Sequence, residues 1–275
     1  QYFRFQTQSP WLQRIVEDRN LLRRCSSTGS FKIAIRQTHF KGFKLFYENE
    51  EATESMLRAA DDFPTFFTPA DEFPLIIDCG ANIGVSILEW KYRWPTCRII
   101  CFEPDPYAFA LLQKNVSKND LPGVQCFCTA ISDQSGEAEL FGQIGHGADS
   151  RGNSLRPEWG DREDSDLSVV RCERLGPYLS QEKVSFLKLD IEGMEEAVLR
   201  DIFPLLKNVD SAYIEVHSNA GLLERNDCGR IEKILIEANF SIETESRFPL
   251  HAFPEPLRDW QQSTQANQHQ ILCWR

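Results

Sequence analysis

Residues 74–84 read PLIIDCGANIG: an apolar run, Leu75 to Ile77, enters the acid Asp78, and small residues then recur at Gly80, Ala81 and Gly84. A short apolar run bounded by turn residues has the length of a buried strand rather than a helix. Gly80 can adopt positive φ and let the backbone approach a ligand, and Gly84 lets the next helix pack closely on the strand. In an open parallel sheet, this first turn meets the crevice at the carboxyl ends of the strands, where ligands bind.

Working outward from it, apolar runs and helical stretches alternate. After LIID come a helix over 83–93, RIICFEP, a helix over 106–119, VQCFCTAI, VSFLKLDI, a helix over 194–203, SAYIEVH, a helix over 228–239, FSIETE and HQILCW. Alternation at these lengths predicts α/β architecture: a doubly wound, mainly parallel sheet, with a last strand that follows a Pro-rich excursion at 249–256 and can run antiparallel. Residues 142–168 break the pattern with Gly, Asp and Ser, and a loop of that length in a compact domain is mobile or functional.

The chemistry of the first turn narrows its ligand. Asn82 stands where a dinucleotide site needs a glycine to admit pyrophosphate, and no Lys-Ser or Lys-Thr follows the glycines as in a phosphate-clamping loop. Glu103, in CFEP, lies nineteen residues beyond Gly84, at the end of the second strand, where an acid holds ribose hydroxyls. The pair points to an adenosine ligand without a phosphate chain. S-adenosylmethionine has this form, and its ammonium and sulfonium suit acidic and aromatic surroundings.

Bulk properties bound the rest. The net charge of -11 disfavours nucleic acid as a partner. Nine cysteines form no CxxC pair and several sit in apolar runs, which fits buried thiols in a reducing, cytoplasmic setting. No apolar run approaches the roughly 18 residues of a spanning helix, so no membrane partner is expected. Gln1, not Met, begins the chain, as expected of a trimmed start or of a domain of a larger polypeptide. Residues 1–70 read as a cap built from a helix near Trp11–Leu22 and a hairpin turning at Gly42, with an aromatic connector carrying Phe63, Phe66 and Phe67; residues 71–275 read as the main domain.

IIDCGANIGVSIL, CFEPDPYAFALLQKN, TAISDQSGEAELF, VSFLKLDIEGMEEAVLR and AYIEVH together resemble the signature blocks of FkbM-type S-adenosylmethionine-dependent methyltransferases. The resemblance implies a Rossmann-like methyltransferase fold with a seven-stranded sheet and an antiparallel last strand. It also implies methyl transfer to a hydroxyl of a small or carrier-bound molecule, as in polyketide, peptide or sugar tailoring. Carried onto this chain, it assigns Asp78, Gly80, Ala81, Asn82 and Gly84 to the cofactor loop, Glu103 and Pro104 to the ribose, and Ala130 and Ile131 to the adenine. Asp190, Glu192, Glu215 and His217 fall near the transferring methyl.

An in-line displacement at a sulfonium needs an oriented nucleophile and a group to take its proton. His217, at a strand end and with an ordinary pKa near neutrality, is the first candidate base, beside Asp190, Glu192 and Glu215. Asp190, Glu215 and His217 could also ligate a divalent metal, but their spacing does not require one and none is expected. His146, Arg151 and Asn153 are candidate substrate contacts on the long loop. The competing readings are a nucleotide-dependent oxidoreductase on the same topology and a cofactor-binding module without turnover.

Overall fold

The computed structural model describes residues 34–61, 68–160, 162–246 and 267–275. The expected helix near residues 11–22, the aromatic cluster at 63–67 and the excursion at 249–256 lie outside the described residues. Residues 35–275 form one compact unit. It opens with a hairpin, β1 (Arg36–Phe40) and β2 (Phe43–Tyr47), turning at Lys41-Gly42, and continues into helix α1 (Glu50–Asp61).

The main sheet has seven strands: β3 (Leu75–Cys79), β4 (Arg98–Phe102), β5 (Val124–Phe127), β9 (Val184–Leu189), β10 (Val209–Ser218), β11 (Ser241–Ser246) and β12 (Asn267–Trp274). Their spatial order is β11-β12-β10-β9-β3-β4-β5. β12 runs antiparallel to β10 and β11, while β10, β9, β3, β4 and β5 pair in parallel. Every residue of β3 and β9 is buried, as expected of central parallel strands covered on both faces. From β3 the chain winds through β4 to β5, then returns to add β9 on the other side. The strand order therefore reverses between β3 and β9, and a crevice opens at their carboxyl ends.

Helix α2 (Val85–Arg93) follows the glycine turn, and α3 (Pro106–Lys118) follows β4. Asp105 caps α3, its Oδ1 accepting from the N–H groups of Tyr107 and Ala108, with Pro106 at the first helical position. Ile76, Ile99, Phe186 and Tyr213 of the sheet pack with Ile87, Trp90 and Leu112 of the two helices. Gly84, at φ 91°, permits this approach, since a Cβ there would lie 2.7 Å from Leu112 Cδ1.

The expected strand VQCFCTAI is two strands in two sheets. β5 ends at Phe127, and β6 (Ala130–Ile131) joins a three-stranded sheet of order β6-β8-β7 with β7 (Gly136–Gly142) and β8 (Asp166–Glu173). Short helix α4 (Gly176–Leu179) then leads into β9, and α5 (Glu195–Ile202) and α6 (Cys228–Glu237) complete the layers. Among the described residues all eight cysteines are free thiols, and no helix is long and apolar enough to cross a membrane.

The hairpin is fixed to this body by apolar and polar contacts. Phe40 and Leu45 pack on Ile83, Leu88, Ala108 and Leu111. The fully buried Asn115 of α3 accepts from Phe46 N–H at 2.7 Å and donates to the carbonyls of Phe46 and Ile83 at 3.0 and 2.8 Å. Asn115→Ala strands those buried backbone groups, so it is expected to destabilise the chain by about 2–4 kcal/mol in urea unfolding, and a loss below about 1 kcal/mol would contradict the anchoring role.

Candidate functional site

The crevice at the reversal point holds a cavity of about 640 Å³. One end is made by the first turn and the second and third strand ends: Gly80, Ala81, Asn82, Glu103, Pro104, Ala130 and Ile131. The other end is made by the ends of β9 and β10: Asp190, Glu192, Glu215 and His217. Helix α1 contributes Ser55, Met56 and Ala59, and the 142–168 segment contributes Arg151, Asn153 and Trp159.

Close backbone contacts set the first end. Gly80 sits at φ 86°, and a Cβ there would lie 1.9 Å from the Asp190 carbonyl oxygen, so only glycine fits between β3 and the β9 loop. Asn82 takes φ 48°, its N–H donates to Glu103 Oε2 at 2.8 Å, and its side-chain amide donates to Ser150. Glu103 Oε1 accepts from Asp105 N–H at 2.8 Å. Burial and the neighbouring Asp105 push Glu103 up to about 8, against the pull of these two N–H donors. Each carboxylate oxygen still has a lone pair for a further donor.

Asp78 is not on the cavity wall, contrary to the sequence expectation. It is fully buried beneath the floor, where Trp90 Nε1 donates to it at 3.3 Å and the Lys188 ammonium stands 3.5 Å away. Its position near the end of β3 puts its side chain between the sheet and α2. Lys188, also buried, donates to Asp190 Oδ2 at 2.9 Å and to the Gly80 carbonyl at 3.0 Å. Burial works to lower the pKa of Lys188, but Asp190 and Asp78 outweigh it and hold the ammonium charged. Gly84 is likewise a packing position and does not line the cavity.

The second end is a buried acid cluster around His217. Its Nδ1 faces Glu195 Oε1 at 3.3 Å, and its Nε2 faces Glu192 Oε2 at 3.5 Å and Glu215 Oε1 at 3.7 Å. Burial opposes a charge on the ring, but Glu192 and Glu195 outweigh it and raise His217 well above its ordinary value. These acids favour the protonated ring, which opposes the role of free base expected for His217. Burial pushes Glu192 up to about 7, and burial together with Asp190 raises Glu215. Tyr213 donates its hydroxyl to Glu215, and Gln270 donates to Tyr213.

Glu192 is held by the long segment. Its backbone is left-handed at φ 55°, its carbonyl accepts from Ser154 Oγ, and its Oε2 accepts from Trp159 Nε1 at 2.6 Å. Of the expected substrate contacts, Arg151 is bound in a fork to Asp149, and Asn153 donates to Asp105 Oδ2. His146 lies outside the cavity, exposed, against Glu48 and the Tyr107 ring.

Sequence reasoning left Lys188, Glu195, Trp159 and Gln270 unassigned. A lysine inside the apolar run VSFLKL and a glutamine inside HQILCW are polar residues at buried strand positions, a legible sign of an internal partner. Trp159 carried no such sign.

A family described as the methyltransferase FkbM domain matches residues 78–242. Methyltransferase sdnD of Sordaria araneosa is 28% identical over 62% of this chain and 74% of its own length. The 2-O-methyltransferase NoeI of Sinorhizobium fredii is 29% identical over 46% of this chain and 56% of its own. The 31-O-demethyl-FK506 methyltransferase FkbM of Streptomyces tacrolimicus is 27% identical over 66% and 77% respectively.

Lys188 neutralises acids on both sides of the cavity floor, and losing one partner of a buried ion pair leaves an uncompensated charge. Lys188→Met is therefore expected to cost about 3–5 kcal/mol of stability by denaturant unfolding. A cost under about 1 kcal/mol would show that the ammonium does not hold the floor together.

Proposed function

The chain belongs to the methyltransferase FkbM domain family, and from that premise we propose that it transfers a methyl group from S-adenosylmethionine to a hydroxyl of a small or carrier-bound molecule. The observation that carries this reading is one cavity with two unlike ends, one suited to a nucleoside and one rich in buried acids. The volume, about 640 Å³, is in the usual range of roughly 300–1,000 Å³ for small-ligand sites. The two relatives whose names specify an oxygen target support the choice of a hydroxyl.

The residues present fit the cofactor. Glu103 has lone pairs for ribose hydroxyls, Gly80 to Asn82 offer backbone and a side-chain amide, and Ala130 and Ile131 supply an apolar wall for a base. When bound, the cofactor supplies an electrophilic methyl on a sulfonium. The acids at the far end suit that positive charge, and Lys188 fixes Asp190 so that its carboxylate does not swing. Glu215, raised by burial and oriented by Tyr213, takes the proton of the acceptor hydroxyl. Helix α1 and the segment carrying Trp159 form the remaining walls, keep water from the reacting groups and shape the acceptor subsite. A pyrophosphate-bearing ligand is disfavoured by Asn82, whose side chain occupies the turn.

Calorimetric titration should show binding of S-adenosylmethionine and S-adenosylhomocysteine but not of NAD. Absence of binding by either sulfur nucleoside would remove the proposal, and NAD binding would replace it with the oxidoreductase reading. Because ribose hydroxyls favour the ionised Glu103, binding is expected to release a proton. Affinity should rise with pH and level off above about 8. Glu103→Gln should weaken binding by about 1–3 kcal/mol and flatten that pH dependence. An unchanged pH profile in the variant would exclude Glu103 as its source.

A further inference from the structure

The acid end of the cavity contains a set of donors whose arrangement goes beyond what binding a sulfonium requires. Asp190, Glu192 and His217 each present one ligand atom, and these atoms lie within 4.8 Å of one another. Ligands about 2.1 Å from a shared ion stand roughly 3 Å apart when adjacent and 4.2 Å apart when opposite. The separation of His217 Nε2 from Glu192 Oε2, 3.5 Å, already lies between these two values.

A second observation concerns the ring itself. His217 is 3% exposed, and its Nδ1 faces the fully buried Glu195. Glu195 is fixed in turn: its oxygens accept from the N–H groups of Ile191 and Gly193 and from Asn226 Nδ2. A buried carboxylate on one ring nitrogen sets the other nitrogen as the outward-facing one, the arrangement that orients a metal-ligating histidine. Nε2 points into the cavity, and its nearest acidic oxygens, at 3.5 and 3.7 Å, are too far for a good hydrogen bond. The ring is thus buried and oriented, with Nε2 facing two carboxylates at longer than hydrogen-bonding range.

A third observation is the backbone cost of placing Glu192. It adopts φ 55°, followed by Gly193 at φ 103°, and both its carbonyl and its carboxylate are gripped by the 142–168 segment. Left-handed backbone at a non-glycine residue persists where the surroundings enforce it, commonly at ligand sites. Lys188 is tied at short range to Asp78, Asp190 and the Gly80 carbonyl; it acts on Glu215, and Arg151 and Arg162 act on Glu192, only electrostatically, with no ion pair from these cations to either glutamate among the described residues.

We infer that Asp190, Glu192 and His217 bind one divalent first-row cation, with Glu195 as the positioning residue that fixes His217. The mixed carboxylate and imidazole set suits an ion such as Mn²⁺. The ion site stands on its own geometry. Its role, holding the acceptor's hydroxyl oxygen beside the cofactor, rests on the methyl-transfer reading above.

The test is titration of the metal-stripped chain with Mn²⁺, followed by the electron spin resonance of the free ion and by calorimetry. One ion per chain is expected, with spin-echo modulation from a directly bound imidazole nitrogen. Glu192→Gln, which keeps the size of the side chain, and Asp190→Asn should each weaken binding at least tenfold, and His217→Ala should remove the nitrogen modulation. Glu195→Gln should weaken binding by about 10–100-fold. Glu139→Gln, on the exposed face of β7, should change nothing. Thermal unfolding of each variant separates loss of the site from loss of the fold, and Glu192→Gln retains a side chain that Trp159 can still meet. Failure to bind Mn²⁺ at millimolar concentration, or equal binding in wild type and Glu192→Gln without nitrogen modulation, overturns the inference. S-adenosylmethionine binding with no Mn²⁺ binding removes the ion and leaves methyl transfer standing, whereas Mn²⁺ binding without cofactor binding does the reverse.

Discussion

The Lys188 ammonium is the interaction on which the cavity depends. It sits on a central strand, shielded from water, and reaches three partners that the chain brings from different places: Asp78 on β3, the carbonyl of Gly80 in the first turn, and Asp190 beyond the end of β9. A buried ion is costly unless its partners satisfy it, and each of these partners is costly without the ion. The result is mutual dependence between the turn at one end of the cavity and the acid at the other. Gly80 completes the coupling, because its backbone lies so close to the Asp190 carbonyl that any side chain would force the two loops apart.

A second network supports the other wall. Glu195 opens α5 and accepts N–H groups from the loop that carries Glu192, while Asn226 joins Glu195 to the carbonyl of His217 and accepts from Glu196 N–H. Helix α5, the end of β10 and the entry to α6 therefore share one buried polar knot. Such knots impose a single arrangement because a half-satisfied one is worse than an apolar core. The orientation of the His217 ring is a consequence of this knot and not of its own strand.

How much of this was legible in the sequence follows from the same physics. The run LIID, the small residues after it and the acid of CFEP stood out because they are local: a buried strand and a tight turn are each encoded within a few residues. Glu103 and the turn do meet, through the Asn82 N–H. The small sheet was hidden. In β8 Leu167 and Val169 are half or more exposed, while Val170 and Cys172 are buried, so apolar residues occupy both faces and no alternation shows. The break between β5 and β6 has no Gly or Pro to mark it. Asp78 differs from expectation for another reason: sequence shows an acid near the strand end, but its burial beneath the floor follows from Trp90 on the next helix and from Lys188, which is distant along the chain. The same holds for His217, whose surroundings are set chiefly by Asp190, Glu192 and Glu195, acids of one stretch more than twenty residues away.

The remaining walls of the cavity follow another logic, since they come from α1 and from residues 142–168, a segment without a helical or strand period. Those residues are nevertheless tied into the body. Phe141 and Ser154 bridge, Asn219 donates to the Glu158 carbonyl, and Ser154 and Trp159 both hold Glu192. The segment that walls the cavity therefore also fixes one of its acids. Any displacement of Trp159 would release Glu192 Oε2 from its donor, in a backbone conformation that the residue would not choose alone. Cavity shape and acid placement are consequently not independent variables in this protein: a change in the loop that widens the cavity also loosens a carboxylate that lines it.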